Sequence, residues 1–306
     1  MDTPQIKDGA FEARYLAFLE TIKELRPKLH GYCSRMTGSI LDGEDVVQDA
    51  LFQAYRNIDT FDDSRPLAPW LFRIAYNQCI DFLRRRKVRN EAEAGAVQPD
   101  SVESRLPAAL DLGYAVERLV LSLPPKERAC ILLKDVFDYT LEEIAELVDS
   151  TVGGVKAALK RGRSKLAALP RTTPQPRNKS KDRETARLLH LYVDRFNRRD
   201  WDGVRELTTA DARLQVLDRL FAPLNEAPYF YRYEQRTVPW RLSVGELDGE
   251  PVAIVLLRRG TDEWTPQSVV RLEVAEGQIT RITDYGHIPW ILPAATSIVL
   301  DQASSN

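Results

Sequence analysis

Four cations, Lys156, Lys160, Arg161 and Arg163, fall within eight residues of a run that reads as helix from Val152 onward. Cations spaced in this way face outward together and suit phosphate oxygens, not the making or breaking of bonds. The preceding run, Thr140-Leu-Glu-Glu-Ile144-Ala145-Glu-Leu147, reads as a second helix, and the gap Asp149-Ser150-Thr151 between them has helix-turn-helix length. A helix placed in this way enters the major groove with its N-terminal residues at base edges and its basic residues at phosphates. Ser150, Thr151, Val152, Gly154 and Lys156 are therefore the candidate readers, with Lys160, Arg161 and Arg163 on the backbone. A solvated basic face on an ordinary helical hairpin is the plainer alternative.

A second signal lies upstream, where Trp70, Phe72, Arg73, Tyr76, Asn77, Asp81, Arg84, Arg85 and Arg86 interleave aromatic and basic groups along one long helix. Stacking combined with phosphate neutralisation is how unpaired strands are held. Taken alone, Trp70 and Tyr76 read as core aromatics, and Arg84–Arg86 as the charge complement of a helix C-terminus, so the helix by itself is a weak signal.

These residues need elements to hold them. Phe18, Ile22, Leu25, Leu29, Tyr32 and Met36 recur at spacings of three and four, the buried stripe of an amphipathic helix, and Pro27 marks a kink or a second helix start. After the turn Thr37-Gly38-Ser39, acids open a helix whose inner face would be Val46, Ala50 and Tyr55. The long helix runs from about Leu67 to Lys87, with Pro69 in its first turn. Residues 88–110 lose the apolar period and read as a linker. Four helices follow, over 112–122, 125–136, 141–148 and 152–169. Residues 170–183 carry three prolines and read as a second, solvated linker. Beyond it a helix over 186–197 precedes alternating runs at 252–257, 269–275 and 278–284, the pattern of an α+β domain with a curved antiparallel sheet.

Composition bounds the function classes. The 306 residues carry 43 Lys and Arg against 45 Asp and Glu, a formal net charge of -2. That balance hides segregation: Val152–Arg187 holds eleven cations against two acids, while Lys134–Asp149 holds six acids against one Lys. No apolar run approaches the roughly 20 residues a membrane span needs, and the N-terminal MDTPQIKDGAFEARY lacks a secretory pattern, so the expected compartment is the cytoplasm. Cys33, Cys79 and Cys130 are scattered among apolar helical neighbours and read as core thiols, not a disulfide framework or a metal knuckle. No metal, cofactor or catalytic residue is expected.

The run Gly31–Lys87, containing DGEDVVQDALFQAY and PWLFRIAYNQCIDFLRRRK, resembles region 2 of the bacterial extracytoplasmic-function (ECF) sigma factors of the sigma-70 family. Leu121–Leu166, containing SLPPKERACILLKDVFDYTLEEIAELV, resembles their region 4. The resemblance spans about residues 12–168. It implies promoter-specific transcription initiation with core RNA polymerase and promoter DNA as partners. Asp42, Glu44, Asp45, Gln48, Asp49 and Phe52 would dock on the clamp of the largest polymerase subunit. Trp70, Arg73, Asn77, Asp81, Arg84 and Arg85, with the loop Asn57–Pro66, would recognise and melt the minus-10 element, and the 150–163 helix would bind the minus-35 element.

The segment from Glu184 resembles the SnoaL-like domain, the cone-shaped fold also used by ketosteroid isomerase. The chain then reads as two all-α helical domains, 12–87 and 111–169, followed by an α+β cone at 184–296. Its cone would hold a pocket lined by Trp201, Tyr229, Tyr231, Tyr233, Trp240, Asp284, Tyr285 and His287, of which Asp284 and His287 are the pair suggestive of acid–base chemistry. The resemblance implies that this domain modulates the sigma domains through intramolecular contact, with a small ligand or an anti-sigma protein left open as partner. Two other readings stay open: an autonomous helix-turn-helix regulator, and an enzyme of the ketosteroid-isomerase-like class.

Overall fold

The computed structural model describes residues 6–62, 64–94, 121–168, 179–217, 219–260 and 263–301. They form two compact units, one from the helices between Ile6 and Ala168 and one from the elements that follow Lys179.

In the first unit, α1 (Ile6–Thr37), α2 (Ile40–Arg56) and α3 (Leu67–Ala94) pack on one another. The apolar stripe of α1 is the buried face expected, with Phe18, Leu29, Tyr32 and Met36 in the core. Pro27 neither ends that helix nor starts another; it sits inside one continuous helix. The chain reverses at Gly38, whose positive φ of 83° suits a residue without Cβ, and the Ser39 side chain then accepts from the Asp42 amide to cap α2. Val46, Val47, Ala50 and Ala54 form the inner face of α2, while Tyr55, expected there, turns outward. In α3, Leu71, Phe72, Ala75, Tyr76 and Cys79 are buried, one face at helical spacing. The helix also runs on to Ala94, through residues whose lost apolar period reads as linker.

The unit continues with α4 (Pro125–Ile131), a wider helical turn at Leu132–Val136, α5 (Leu141–Leu147) and α6 (Val152–Ala168). Thr140 and Glu143 close a reciprocal capping box at the start of α5. The turn into α6 uses Asp149 at φ 47°, and the Ser150 amide donates to the Ala145 carbonyl at 2.8 Å. Val155, Ala158, Leu159 and Gly162 form the buried face of α6, at spacings of three, one and three. Helices of both halves share one apolar core, in which Cys33, Cys79 and Cys130 are all fully buried, as expected of core thiols. The helix expected over 112–122 lies, apart from its last two residues, outside the described residues, as does most of the second linker.

The second unit begins with α7 (Lys179–Asn197), seven residues earlier than its apolar period suggests, and a short α8 (Trp201–Glu206). One open, mixed sheet follows in the order β2-β1-β6-β5-β4-β3-β7. The strands are β1 (Thr208–Val216), β2 (Leu220–Pro223), β3 (Trp240–Leu247), β4 (Glu250–Leu257), β5 (Thr265–Ala275), β6 (Gln278–Asp284) and β7 (Ile298–Leu300). Its pairs are antiparallel except for β1 with β6, so the α+β expectation holds. Two further short helices, α9 (Tyr229–Glu234) and α10 (Ile291–Ala294), flank the sheet sequence. Leu188, Leu189, Tyr192, Val193 and Phe196 of α7 bury against the sheet's inner face. Asn197 fastens the end of that helix to β3, donating to the Leu242 carbonyl at 2.9 Å and accepting from the Leu242 amide at 2.8 Å. Among the described residues no helix is long and apolar enough to cross a membrane.

One close approach sets the α1–α2 crossing. A Cβ on Gly43 would lie 2.6 Å from the Ser34 Cα and backbone nitrogen, atoms that cannot swing aside. Gly43→Ala should therefore destabilise the chain by about 1–3 kcal/mol, the range for overpacking a well-filled site, as measured by chemical denaturation.

Candidate nucleic-acid interface

The start of α6 places the predicted readers together. Thr151 is exposed and caps the helix, accepting from the Gly154 amide at 3.0 Å, with Ser150, Val152 and Gly154 half-buried beside it. Lys156 and Lys160 project outward one turn apart. Arg161 and Arg163 also face solvent, at 58% and 55% side-chain exposure, but each is tied within the unit. Arg161 Nε donates to Glu127 at 2.9 Å, and Arg163 reaches Asp135 at 2.5 Å. Lys165 Nζ donates to the other Glu127 oxygen at 2.9 Å. The hydrogen bonds from Lys165 and Arg161 hold the Glu127 carboxyl below the usual carboxylate range. Two of the cations expected on phosphates thus also bind α6 within its own unit, Arg161 to α4 and Arg163 to the helical turn that follows it, a role that spacing alone did not distinguish.

On α3, Arg73, Asn77, Arg84 and Arg85 are exposed, at positions that recur on the side away from the buried face. Asp81 is half-buried and pairs with Arg84 at 3.1 Å. Trp70 is half-buried, its ring 4.9 Å from that of Phe61 in the preceding loop. Phe72 and Tyr76 are core residues, so the aromatic available to an unpaired base on this face is Trp70, beside Phe61. Arg86 turns back, within 3.6 Å of Asp42 and donating to the Thr37 carbonyl at 3.3 Å.

The acidic set at the start of α2 divides. Asp49 and Phe52 are exposed, Phe52 at 63%, with Asp45 and Gln48 half-buried nearby. Asp42 and Glu44, expected on the same docking surface, are buried instead. Glu44 accepts from Arg26 at 2.6 Å and from the Gln48 side-chain Nε2 at 2.9 Å, so its charge is compensated inside the helical stack and does not face a partner. The signal that could have shown this is the α1 sequence, where Arg26 lies on the same side as Ile22 and Leu29.

In the second unit the cone residues also divide. Asp284 is buried at 4% exposure and accepts on one oxygen from the Tyr229 and Tyr233 hydroxyls at 3.0 and 2.8 Å, and on the other from the Gly286 amide at 2.7 Å. Burial first, and the Asp284 charge second, push both phenols well above their usual range, which keeps them protonated donors. Trp240 is buried, its Nε1 donating to the Tyr233 carbonyl at 2.9 Å, while Trp201 stacks on Phe230 at 5.1 Å. Tyr231 and His287 are exposed. Asp284 therefore engages tyrosines and not His287, and the acid–base pair suggested by their proximity in sequence is not assembled. Phe196, which the sequence reading did not single out, sits at the centre of this cluster. Its ring lies 4.9–6.1 Å from those of Tyr192, Trp201, Tyr229, Phe230, Tyr233 and Trp240. Its place in the stripe Leu188, Leu189, Tyr192, Val193, Phe196 was the available signal.

Two outcomes follow from these buried polar groups. Asp284→Ala leaves two buried phenols without their acceptor and should destabilise the second unit by about 2–4 kcal/mol, with Asn at that position recovering part of the loss in denaturant titrations. In the first unit, burial lowers the pKa of His30, outweighing the raising effect of Glu44, which is 4.0 Å away. The unfolded chain protonates this histidine at about pH 6.5 while the buried ring resists, so its contribution is full above that pH and is lost as the pH falls below it. Thermal unfolding followed between pH 7.5 and 5.5 should show that loss, and His30→Gln should flatten it.

Residues 21–89 match the family model for Sigma-70 region 2, and residues 114–166 that for Sigma-70, region 4. The chain is 33% identical over 174 residues to the ECF RNA polymerase sigma factor SigW of Bacillus subtilis (strain 168), a match that covers 53% of this chain and 91% of that one. It is 31% identical over 153 residues to the ECF RNA polymerase sigma factor SigM of Mycobacterium tuberculosis (strain ATCC 25618 / H37Rv), covering 50% of this chain and 76% of the relative. Among solved structures it is similar to the Mycobacterium tuberculosis extracytoplasmic function sigma factor SigJ, with 16% identity and a TM-score of 0.35 over 87% of this chain and 95% of that one. On the extent of these sequence matches, the chain belongs to the ECF RNA polymerase sigma factors.

Proposed function

We propose that this chain binds core RNA polymerase and directs transcription from specific promoters, reading the minus-10 element with α3 and the loop before it and the minus-35 element with α6. The observation that carries this reading is the pair of basic faces on one chain. Arg73, Asn77, Arg84 and Arg85 with Trp70 suit an unpaired strand, and Thr151, Lys156 and Lys160 at a helix-turn-helix suit a duplex groove. Asp49 and Phe52, with Asp45 and Gln48 beside them, supply the exposed acidic and aromatic surface suited to the polymerase clamp. The place of action is the cytoplasm, where polymerase and promoter DNA meet. The family consists of initiation factors, and no step of this function calls on an enzyme active site. The SnoaL-like second unit acts in this reading as a modulator of initiation.

Run-off transcription with purified core polymerase and the native promoter region tests the reading: transcripts should depend on the added chain. Tight operator binding without polymerase, and no added transcript, would establish the autonomous regulator instead. Within the assay, Lys160→Ala should weaken binding on all sequences and reduce the salt slope by about one, as loss of a phosphate contact does. Lys156→Ala should relax the preference at one minus-35 position, and an equal loss on every sequence from both variants would remove base reading by Lys156.

A further inference from the structure

The five cations of α6 are not equivalent, and the difference bears on promoter choice. On a helix, Lys156 and Arg163, seven residues apart, share one flank, and Arg161 and Lys165, four apart, share the other. Lys160 lies on the side away from the buried face of Val155, Ala158, Leu159 and Gly162. In a major groove the flanks of such a helix lie toward the two phosphate walls, while its N-terminal residues reach the base edges.

Each flank meets an acid of the same unit. Glu127 of α4 accepts on one oxygen from Arg161 and on the other from Lys165, both at 2.9 Å. Asp135, in the turn that follows α4, accepts from Arg163 on both oxygens, at 2.5 and 3.3 Å. A Cβ on Gly162 would lie 2.6 Å from the Ile131 Cδ1 and 3.5 Å from the Glu127 Cβ, so the missing side chain lets α6 settle onto α4 at this point. The Glu127 side chain is 8% exposed, whereas Arg161 and Lys165 are at least half exposed, so the carboxylate stands behind its cations and not in front of them. Among the described residues, Lys156 and Lys160 have no such partner. A phosphate drawn to a compensated cation is repelled by the carboxylate behind it, and the pair contributes less to counterion release than a free cation does. Two placed acids thus leave two of the five cations unopposed, which lowers affinity for every sequence alike and leaves base reading at the start of α6 untouched.

We propose that Glu127 and Asp135 are specificity-determining residues of the minus-35 contact: by compensating Arg161, Lys165 and Arg163 they hold down the affinity of α6 for duplex of any sequence, so that binding depends on the reading residues Ser150, Thr151, Val152, Gly154 and Lys156. The proposal rests on the function proposed above and gives these two acids a part in it. Their action is subtractive: they add no contact to the promoter and weaken the contacts that carry no sequence information.

Binding of the full chain to a duplex of unrelated sequence, titrated from about 50 to 200 mM salt, tests it. Glu127→Gln, which keeps the size of the side chain, should bind that duplex about three- to tenfold more tightly at the lower salt. It should also steepen the dependence of log affinity on log salt by about two, one for each cation released, and Asp135→Asn should steepen it by about one. In run-off transcription with core polymerase, both variants should lose transcript to unrelated competitor duplex at lower concentrations than the unsubstituted chain. Chemical denaturation reports whether each variant is folded, and since Asp135 is exposed, Asp135→Asn carries the test alone should Glu127→Gln unfold. Folded variants that keep the original salt slope and tolerance of competitor would overturn the proposal. Weaker binding to the unrelated duplex would overturn it too, and would mean that the acids aim the cations at phosphate. Absence of any transcript from the unsubstituted chain would instead bring down the function on which the proposal rests, and the run-off assay without competitor reads that separately.

Discussion

The packing of Phe137 and Tyr139 against Tyr32 and Phe72 is the contact on which the arrangement of the first unit depends. It joins helices far apart in sequence into one apolar core, and it fixes which faces of α3 and α6 are left to solvent. Since the inner face of α3 is occupied by Leu71, Phe72, Ala75, Tyr76 and Cys79, its polar groups must face outward, where nucleic acid can reach them. The same logic places Lys156 and Lys160 outside, because Val155, Ala158, Leu159 and Gly162 fill the crossing with α4.

Charge is handled differently at the surface and inside. Glu127 gathers Arg161 and Lys165, so part of the basic character of α6 binds the helix to its own scaffold. Glu44 and Asp284 are interior acids, and each is stabilised by donors aimed at it: Arg26 and Gln48 for the first, two tyrosines and a backbone amide for the second. A carboxylate surrounded in this way is held by several charge-assisted bonds at once, which makes it a structural pin. In the second unit the two tyrosines that donate to this pin pack against the ring of Phe196, so aromatic side chains fill this part of the core.

Much of the organisation was legible in the sequence because it rests on local patterns. The α1 stripe, the helix-turn-helix spacing at 148–152, the change from helical to alternating periodicity after residue 197 and the burial of all three cysteines follow from periods and residue types that each segment carries within itself. Element ends were less legible: α3 runs to Ala94 and α7 starts at Lys179, since polar helix formers extend a helix without adding an apolar period.

What the sequence by itself determined is the set of elements, their buried stripes and the residues able to meet a polyanion. Only the tertiary structure decided which polar residues face a partner and which face the interior. Asp42 and Glu44 look the same in sequence as Asp45 and Asp49, and Arg161 looks the same as Lys160. Their roles separate only when Arg26, Arg86 and Glu127 arrive from other helices to compensate them. Likewise Asp284 and His287 are neighbours in sequence, yet the strand end turns one towards two tyrosines of α9 and the other towards water. The reason is physical: the free energy of a buried charge is set by partners that the chain brings together from a distance, and a local pattern does not record them.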